Sequence, residues 1–254
     1  MEQRSQEWQL ARLGKLTASE IHVLMNDRTE KMTDEELVAF KAANPKSRVS
    51  TKKVPFNDST FAYLNRKVME NYLPVNSSNQ EAVNAVDEYI EQHSYSSRAT
   101  DHGVFWEDTA RSLYAEKMGY EVLQVGFVPY EKYPNLVGCS PDGMIRQENG
   151  GLECKCPFTL EKHLKHFLYT SAEELREEEP EYYWQCVMGM LDTGCTFWDF
   201  VSYNPYISKS KQMKILRIDR NSDDINLLAD RIDLAVDYMK KKFEEIEQAQ
   251  IIIK

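Results

Sequence analysis

The sequence predicts a mixed α/β domain in which helices flank a central mixed β-sheet. Two apolar runs, 137–145 and 152–157, enclose a polar turn with Gly150 and Gly151, and this pattern is typical of an antiparallel β-hairpin. Segments with helical periodicity lie on both sides of the hairpin, and a second pair of strand-like runs follows it. No Gly/Ser-rich or Pro-rich linker interrupts residues 1–254, so a single domain is expected.

The first hundred residues are predicted to be mainly helical. Thr17 and Glu20 fit a capping box, which predicts a helix that begins at Thr17 and continues through Met25. A helical insertion is expected at about 26–100, with helices near 33–44, 59–72 and 79–93. The basic residues between its first two helices are expected in a loop, which either follows a nucleic-acid backbone or is solvated: Lys46, Arg48, Lys52 and Lys53.

Further helices and strands are predicted along the rest of the chain. A helix is expected from Gly103 to Met118, because Gly119 can end it, and short strands are expected at 120–129 and 135–137. After the central hairpin, the predicted elements are helices at 160–169, 181–191 and 222–247 and a strand pair at 195–203 and 212–218.

The net charge of −10 excludes a protein that coats nucleic acid through overall attraction, so any such contact must be local. Acidic residues concentrate at 173–179 and 244–245, where solvated helix faces are expected. The five cysteines form no CxxC pair, which argues against a zinc ribbon and favours buried thiols. With no leader and no apolar run of membrane length, a reducing cytoplasm is the expected location and no membrane partner is expected.

The central hairpin carries the candidate catalytic residues. Side chains on a strand alternate between faces, so Glu153 and Lys155 point the same way, about 6.7 Å apart. The hairpin can bring Asp142 opposite them, and two carboxylates offer hard oxygen ligands to Mg²⁺ or Mn²⁺. The carbonyl of Cys154 can add a ligand, and Lys155 can position a water or stabilise charge on a phosphoryl oxygen. The alternative is an ordinary surface pair, although the alternating apolar residues indicate a buried strand.

Four polar residues outside the hairpin are further candidates. Arg12 and Ser19 lie near the predicted helix start, whose unpaired N–H groups suit a phosphate, although a surface ion pair would also account for Arg12. Glu107 is expected to face inward on its helix and therefore to need a cation or a donor. Gln185 needs a partner such as a metal-bound water or a phosphate oxygen, although core amides are as often satisfied by backbone groups.

Asp142 followed by Glu153-x-Lys155 after a hairpin is the arrangement of the PD-(D/E)xK nucleases. The chain resembles their viral-recombinase branch, the phage lambda exonuclease family, from residue 8 to about residue 220. The matching motifs occur in family order: Trp8 with Arg12-Leu13-Gly14 and Thr17-Ala18-Ser19-Glu20, Gly103-x-x-x-Glu107, Cys139-Ser140-Pro141-Asp142-Gly143, Gly151-Leu152-Glu153-Cys154-Lys155-Cys156-Pro157-Phe158-Thr159, and Gln185. The resemblance implies a restriction-endonuclease-like core, with a mixed central sheet flanked by helices.

The resemblance also implies a role for each matching residue. Asp142 and Glu153 would hold the catalytic Mg²⁺, and Glu107 would contribute directly or through water. Lys155 would orient or activate the attacking water. Gln185 would be the active-site glutamine of the family. The residues that would grip the 5′-phosphate of the digested strand are Arg12, Ser19 and Ser140.

The activity and partners that the resemblance implies are specific. The family digests linear double-stranded DNA in the 5′→3′ direction, releases 5′-mononucleotides and leaves a 3′ single-stranded tail. It forms a ring of three subunits and works with a single-strand annealing protein. Two alternatives remain open: a restriction- or repair-type endonuclease with the same catalytic core, and a non-catalytic DNA-binding or assembly subunit. The second alternative predicts a broken carboxylate and lysine set, whereas every member is present.

Overall fold

The secondary structure is taken from a computed structural model, which describes residues 3–93 and 97–249. In chain order the strands are β1 (Leu16–Thr17), β2 (Asp27–Lys31), β3 (Thr51–Pro55), β4 (Val122–Leu123), β5 (Val128–Pro129), β6 (Val137–Cys139), β7 (Gly143–Ile145), β8 (Gly150–Lys155), β9 (Phe197–Tyr203) and β10 (Met213–Asp219). The α-helices are α1 (Gln6–Arg12), α2 (Asp34–Ala43), α3 (Asp58–Glu70), α4 (Gln80–His93), α5 (Arg98–Met118), α6 (Leu160–Leu168), α7 (Ala172–Glu178), α8 (Pro180–Thr193) and α9 (Ser222–Gln248).

A five-stranded mixed sheet occupies the centre of the molecule, in the order β10-β9-β8-β7-β4. Strands β8 and β9 are parallel, which places Glu153 beside Phe200, and the other neighbours are antiparallel. The predicted central hairpin is therefore confirmed as β7 and β8, and the predicted pair of later strands as β9 and β10. A second sheet has the order β1-β6-β5, in which β1 and β6 are parallel.

Helices cover both faces of the central sheet, which is why every residue of β9 is buried. On one face Tyr114 of α5 packs with Val201 in a smaller apolar cluster. On the other face Trp198 belongs to the larger core, and α8 approaches it so closely that a Cβ on Gly189 would lie 2.5 Å from the indole ring. The predicted fold class, a mixed sheet flanked by helices, is confirmed, and the two flanking helices carry the candidate residues Glu107 and Gln185.

The segment between residues 26 and 100 contains the predicted helices, as α2, α3 and α4, together with a two-stranded antiparallel sheet that the sequence pattern did not predict. Lys52 and Lys53 therefore lie in β3 and not in a loop. Lys52 is opposite Glu30 of β2 and also pairs with Glu36. Strands are recognised in a sequence by alternating apolar residues, and in β2 and β3 charged cross-strand pairs occupy these positions. The sequence pattern therefore did not reveal the two strands.

The predicted capping box at Thr17 is wrong. Thr17 belongs to β1, and the residues after it, Ala18–Met25, form a 3₁₀ helix with no side-chain cap from Thr17. Strand pairing with β6 fixes this backbone. The Thr17 hydroxyl lies instead 3.5 Å from Nη2 of Arg12 and 3.4 Å from the Ser19 hydroxyl. The Thr17 hydroxyl thus contacts Arg12 and Ser19 instead of capping the helix that follows it.

The cysteines are buried as free thiols, as predicted. Burial raises the pKa of the Cys139, Cys154 and Cys186 thiols well above their usual range. Within residues 3–93 and 97–249, no helix combines the length and the apolar character needed to cross a bilayer.

Candidate active site

The β7–β8 hairpin brings the predicted acidic residues and lysine together. Asp142 immediately precedes β7, and its Oδ2 accepts a hydrogen bond of 2.7 Å from the backbone N–H of Cys154 in β8. The Lys155 ammonium donates to Glu153 Oε1 at 2.6 Å and to Gln185 Oε1 at 3.2 Å. The alternation of side chains along β8 therefore places Glu153 and Lys155 on one face, as the sequence predicts, and α8 supplies Gln185 from above that face.

Burial and nearby charges shift the pKa values of the groups at this site. Burial, and then repulsion from Glu153 and Glu107, raise the pKa of Asp142 well above its usual range. Burial also raises the pKa of Glu153, and the attraction of Lys155 opposes that rise. Although burial alone would lower the pKa of Lys155, Glu153 and Asp142 raise it above its ordinary value. Lys155 is therefore an ammonium at neutral pH.

The donor set suits a divalent cation. In the part of the chain that the structure describes, no three His, Cys, Asp or Glu side chains already form a group that could hold a metal ion. Asp142 and Glu153 nevertheless offer carboxylate oxygens whose repulsion a cation would relieve, and hard oxygens are the ligands that Mg²⁺ and Mn²⁺ prefer. Oε2 of Glu107 can join them only after Arg4 leaves it. The residues thus fit the predicted metal with Asp142 and Glu153 as the first ligands.

Glu107 is buried on α5 and is held by two arginines that the sequence analysis missed. Arg4 forms an ion pair with Oε2, and Nη1 of Arg111 lies 3.5 Å from Oε1. Arg111 also donates to the backbone carbonyl of Asp142 at 2.8 Å, so it ties α5 to the start of the hairpin. The spacing of four residues between Glu107 and Arg111 is a helical pairing signal, whereas nothing in the sequence links Glu107 to Arg4.

A separate polar pocket assembles around Arg12 at the end of α1. Its guanidinium donates to the hydroxyl groups of Ser140 and Ser19, each at 3.0 Å. Trp8 completes the pocket, because its indole N–H also donates to Ser140 at 3.0 Å and its ring lies 4.2 Å from the Arg12 guanidinium. The structure therefore brings together all three predicted phosphate-binding residues. Trp8, four residues before Arg12 on the same helix face, is an additional pocket residue that this spacing could have revealed.

Two neighbouring cavities, together called the cleft, lie beside Lys155 and beside Arg12. A cavity of about 590 Å³ is lined by Lys155, Glu107 and Cys154, and a cavity of about 910 Å³ is lined by Arg12 and Ser19. The residues common to both cavities are Arg4, Thr100, Val104 and Tyr182. Asp142 and Glu153 line neither cavity and are buried beneath Lys155, with 8% and 3% of their surface exposed.

Tyr182 forms the wall of this cleft next to the lysines. Its ring centroid lies 4.9 Å from the Lys155 ammonium and 5.1 Å from that of Lys162. An aromatic face attracts a cation at these distances. Tyr182 therefore helps to fix Lys155 between Glu153 and Gln185.

Residues 7–196 match the sequence profile of the YqaJ-like viral recombinase domain. The chain belongs to this family. The match covers the Arg12 pocket, the β7–β8 hairpin and Gln185, so the predicted resemblance to the viral-recombinase nucleases is confirmed. No curated protein is similar enough in sequence to count as a match.

Solved structures of exonucleases share the fold of this YqaJ-like protein. An alkaline exonuclease from Laribacter hongkongensis, LHK-Exo, is 22% identical with a TM-score of 0.65, and the similarity covers 96% of this chain and 97% of that one. The same enzyme in complex with dAMP is 23% identical with a TM-score of 0.67 over the same shares of both chains. A phage-related exonuclease from Haemophilus somnus 129PT is 12% identical with a TM-score of 0.61, covering 91% of this chain and 96% of that one. Family and fold together support a nuclease that acts on DNA.

Proposed function

We propose that this YqaJ-like protein is a metal-dependent 5′→3′ exonuclease of linear double-stranded DNA. It would release 5′-mononucleotides and leave a 3′ single-stranded tail for recombination by strand annealing. The observation that carries the proposal is that the cavity beside Arg12 and the cavity beside Lys155 are neighbours and share four lining residues. A 5′-phosphate bound by Arg12, Ser19 and Ser140 would hold the end of the strand at a fixed distance from the carboxylates, so the same bond next to the end would be cut each time.

The proposed chemistry is hydrolysis of a phosphodiester. The groups proposed to hold Mg²⁺ or Mn²⁺ are the side chains of Asp142 and Glu153, the carbonyl of Cys154 and, once Arg4 has left it, the Glu107 carboxylate. The ion would act as a Lewis acid and would lower the pKa of a bound water. The Lys155 ammonium, held by Glu153 and Gln185, can orient that water and stabilise charge that develops on the phosphoryl oxygens. Gln185 fixes the ammonium and offers an amide N–H group as a second donor.

The structural neighbours support this proposal. The three solved structures named above are described as exonucleases, and LHK-Exo was solved with dAMP, a mononucleotide of the kind that the proposed reaction releases. The main rival is an endonuclease that uses the same carboxylates and lysine on internal bonds.

Digestion of matched linear and covalently closed circular duplexes tests the proposal. With Mg²⁺, the linear duplex should be degraded to 5′-mononucleotides, whereas the closed circle should remain intact because it offers no end to the Arg12 pocket. Chelation of the metal should stop degradation of the linear duplex. Degradation of the closed circle would favour the endonuclease, and no degradation of either substrate would favour a non-catalytic DNA-binding subunit.

Replacement of Arg12 by alanine should weaken digestion selectively at 5′-phosphorylated ends. A charge-assisted hydrogen bond contributes about 1.5–3 kcal/mol, so the rate on 5′-phosphate ends should fall roughly tenfold or more relative to 5′-hydroxyl ends. Initial rates on duplexes that differ only in this end group measure the effect, and Arg146→Ala in the exposed turn serves as the control. Equal losses on both kinds of end would exclude a phosphate-binding role for Arg12.

The proposed assembly follows from the family resemblance. We propose a homotrimer that encircles DNA and cooperates with a single-strand annealing protein in the cytoplasm of the host cell. A trimer of this 29.6 kDa chain would be recognised by its mass in native mass spectrometry. A monomer at working concentration would exclude the ring.

A further inference from the structure

The ion pair between Arg4 and Glu107 places a partly exposed cation on a proposed metal ligand. The Glu107 side chain is 9% exposed, whereas the Arg4 side chain is 41% exposed and reaches Glu107 from the open side of the cleft. Two like charges cannot both neutralise the same carboxylate oxygen at close range. A metal ion that binds Oε2 of Glu107 must therefore displace the Arg4 guanidinium.

The backbone around Arg4 holds this arginine in position. Arg4 has a φ of 68°, in the left-handed region that disfavours residues with a side chain. The neighbouring Gln3 amide donates to the carbonyls of Val125 at 2.9 Å and Pro141 at 2.7 Å, so the segment is anchored next to Asp142. A strained conformation that is retained by such anchoring is typical of functional sites.

Arg4 and Arg111 play different parts at Glu107. Arg111 has 10% of its side chain exposed and is also held by Asp108 and by the carbonyl of Asp142. Its contact with Glu107 is the longer one, at 3.5 Å, and it can persist when Oε2 changes partner. Arg4 is the partner that can leave, because its side chain is solvated and lines both halves of the cleft.

We propose that Arg4 competes with the catalytic metal for Glu107 and transfers to a DNA phosphate when substrate enters the cleft. This inference rests on the proposed function. Because DNA then removes the competitor, DNA and metal bind cooperatively: each ligand increases the affinity for the other by the same factor. In the absence of DNA, the guanidinium keeps the metal weakly bound, and the complete metal site forms mainly on a bound DNA end.

Binding of Mn²⁺ to the protein without DNA tests the competition. Electron paramagnetic resonance of unbound Mn²⁺ gives the affinity directly and requires no cleavage. Arg4→Ala should bind Mn²⁺ about two- to fivefold more tightly than the unaltered chain, in keeping with a partly exposed ion pair. Arg4→Lys retains a cation and should remain near the unaltered affinity. Arg28→Ala, which removes an equally exposed arginine paired with Glu30, should have no effect.

A double-mutant cycle separates the direct contact from a general effect of charge. In a Glu107→Gln background, Arg4→Ala should no longer tighten Mn²⁺ binding, because the carboxylate for which the two cations compete is gone. An equal gain in both backgrounds would show that Arg4 acts only through its long-range charge and would overturn the proposal.

The coupling to DNA is measured in Lys155→Ala protein, in which the duplex should stay intact. A 5′-phosphorylated duplex should tighten Mn²⁺ binding when Arg4 is present and should lose this effect when Arg4 is alanine. If the unaltered chain binds no Mn²⁺ with or without DNA, the proposed metal-dependent function fails. If Mn²⁺ binds but Arg4→Ala neither tightens binding nor abolishes the coupling, the role of Arg4 alone is excluded.

Discussion

Lys155→Ala is expected to abolish cleavage of linear duplex DNA while leaving binding to DNA ends largely intact. The ammonium is held by Glu153 and Gln185 and directed into the cleft, where its charge counts for more than it would in water. Removal of one such donor from an enclosed site lowers the rate by about 10²–10³-fold. The Arg12 pocket is untouched by the substitution, so the end should still bind. Single-turnover cleavage and end binding by fluorescence anisotropy measure the two properties separately.

A matched control shows whether the loss belongs to this lysine. Lys214 is also a half-buried strand lysine, but it lies on β10 and has no contact with Glu153 or Gln185. Lys214→Ala should therefore retain nearly all of the cleavage rate. An unchanged rate in Lys155→Ala would remove this residue from the reaction. A parallel loss of end binding would instead indicate a general disruption of the cleft.

The hairpin site could be predicted from the sequence because its geometry is local. Glu153 and Lys155 lie two residues apart on one strand, and a strand alternates its faces whatever its surroundings. A short turn joins the strand next to Asp142 to the strand of Glu153 and Lys155. The prediction of the site therefore required only that the hairpin be predicted correctly. Burial of the alternate apolar residues on β8 then followed from the same pattern.

The parts that could not be predicted depend on contacts between distant segments. Arg4 and Glu107 are 103 residues apart, and the sequence around either residue gives no sign of the other. Arg12 meets Ser140 across 128 residues, and this pairing was available only through the family resemblance. The capping box at Thr17 failed for the same reason, since strand pairing with β6 overrode a valid local signal.

The acidic run at 173–179 is a further case, because its last residue is not solvated. Glu179 is buried between α7 and α8, although the other glutamates of the run lie on the surface. Its partners come from α6: Lys162 forms an ion pair with it, and Nε2 of His166 lies 2.6 Å from its Oε2. A count of charged residues in a sequence cannot distinguish this one buried carboxylate from its solvated neighbours.

Glu179 lies beside a pair of buried histidines that share one hydroxyl. Nδ1 of His163 and Nδ1 of His166 both lie 2.9 Å from the Ser202 hydroxyl, which can donate to one ring nitrogen and accept from the other. Nε2 of His163 donates to the carbonyl of Lys211. Burial lowers the pKa of His166, and its contact with Glu179 opposes that fall.

Glu179→Gln should therefore destabilise the fold strongly. The substitution leaves Lys162 and His166 without the carboxylate that they contact, and breaking a buried ion pair costs about 3–5 kcal/mol. Although burial opposes it, hydrogen bonds from His166 and Lys162 lower the pKa of Glu179 to about 2. A carboxyl whose pKa is lower in the folded than in the unfolded protein stabilises the fold at every pH above its unfolded pKa. The difference in the free energy of unfolding between the two proteins should therefore be largest above pH 4.5 and should shrink toward pH 2.

Urea denaturation of both proteins between pH 3 and 7 measures this difference in the free energy of unfolding. The control is Glu178→Gln, which removes the adjacent glutamate of the same acidic run. Glu178 is 61% exposed and pairs only at the surface with Lys165, so its loss should change stability by less than about 1 kcal/mol at any pH. Similar small effects in both variants would mean that the Glu179 charge contributes little to the stability of the fold.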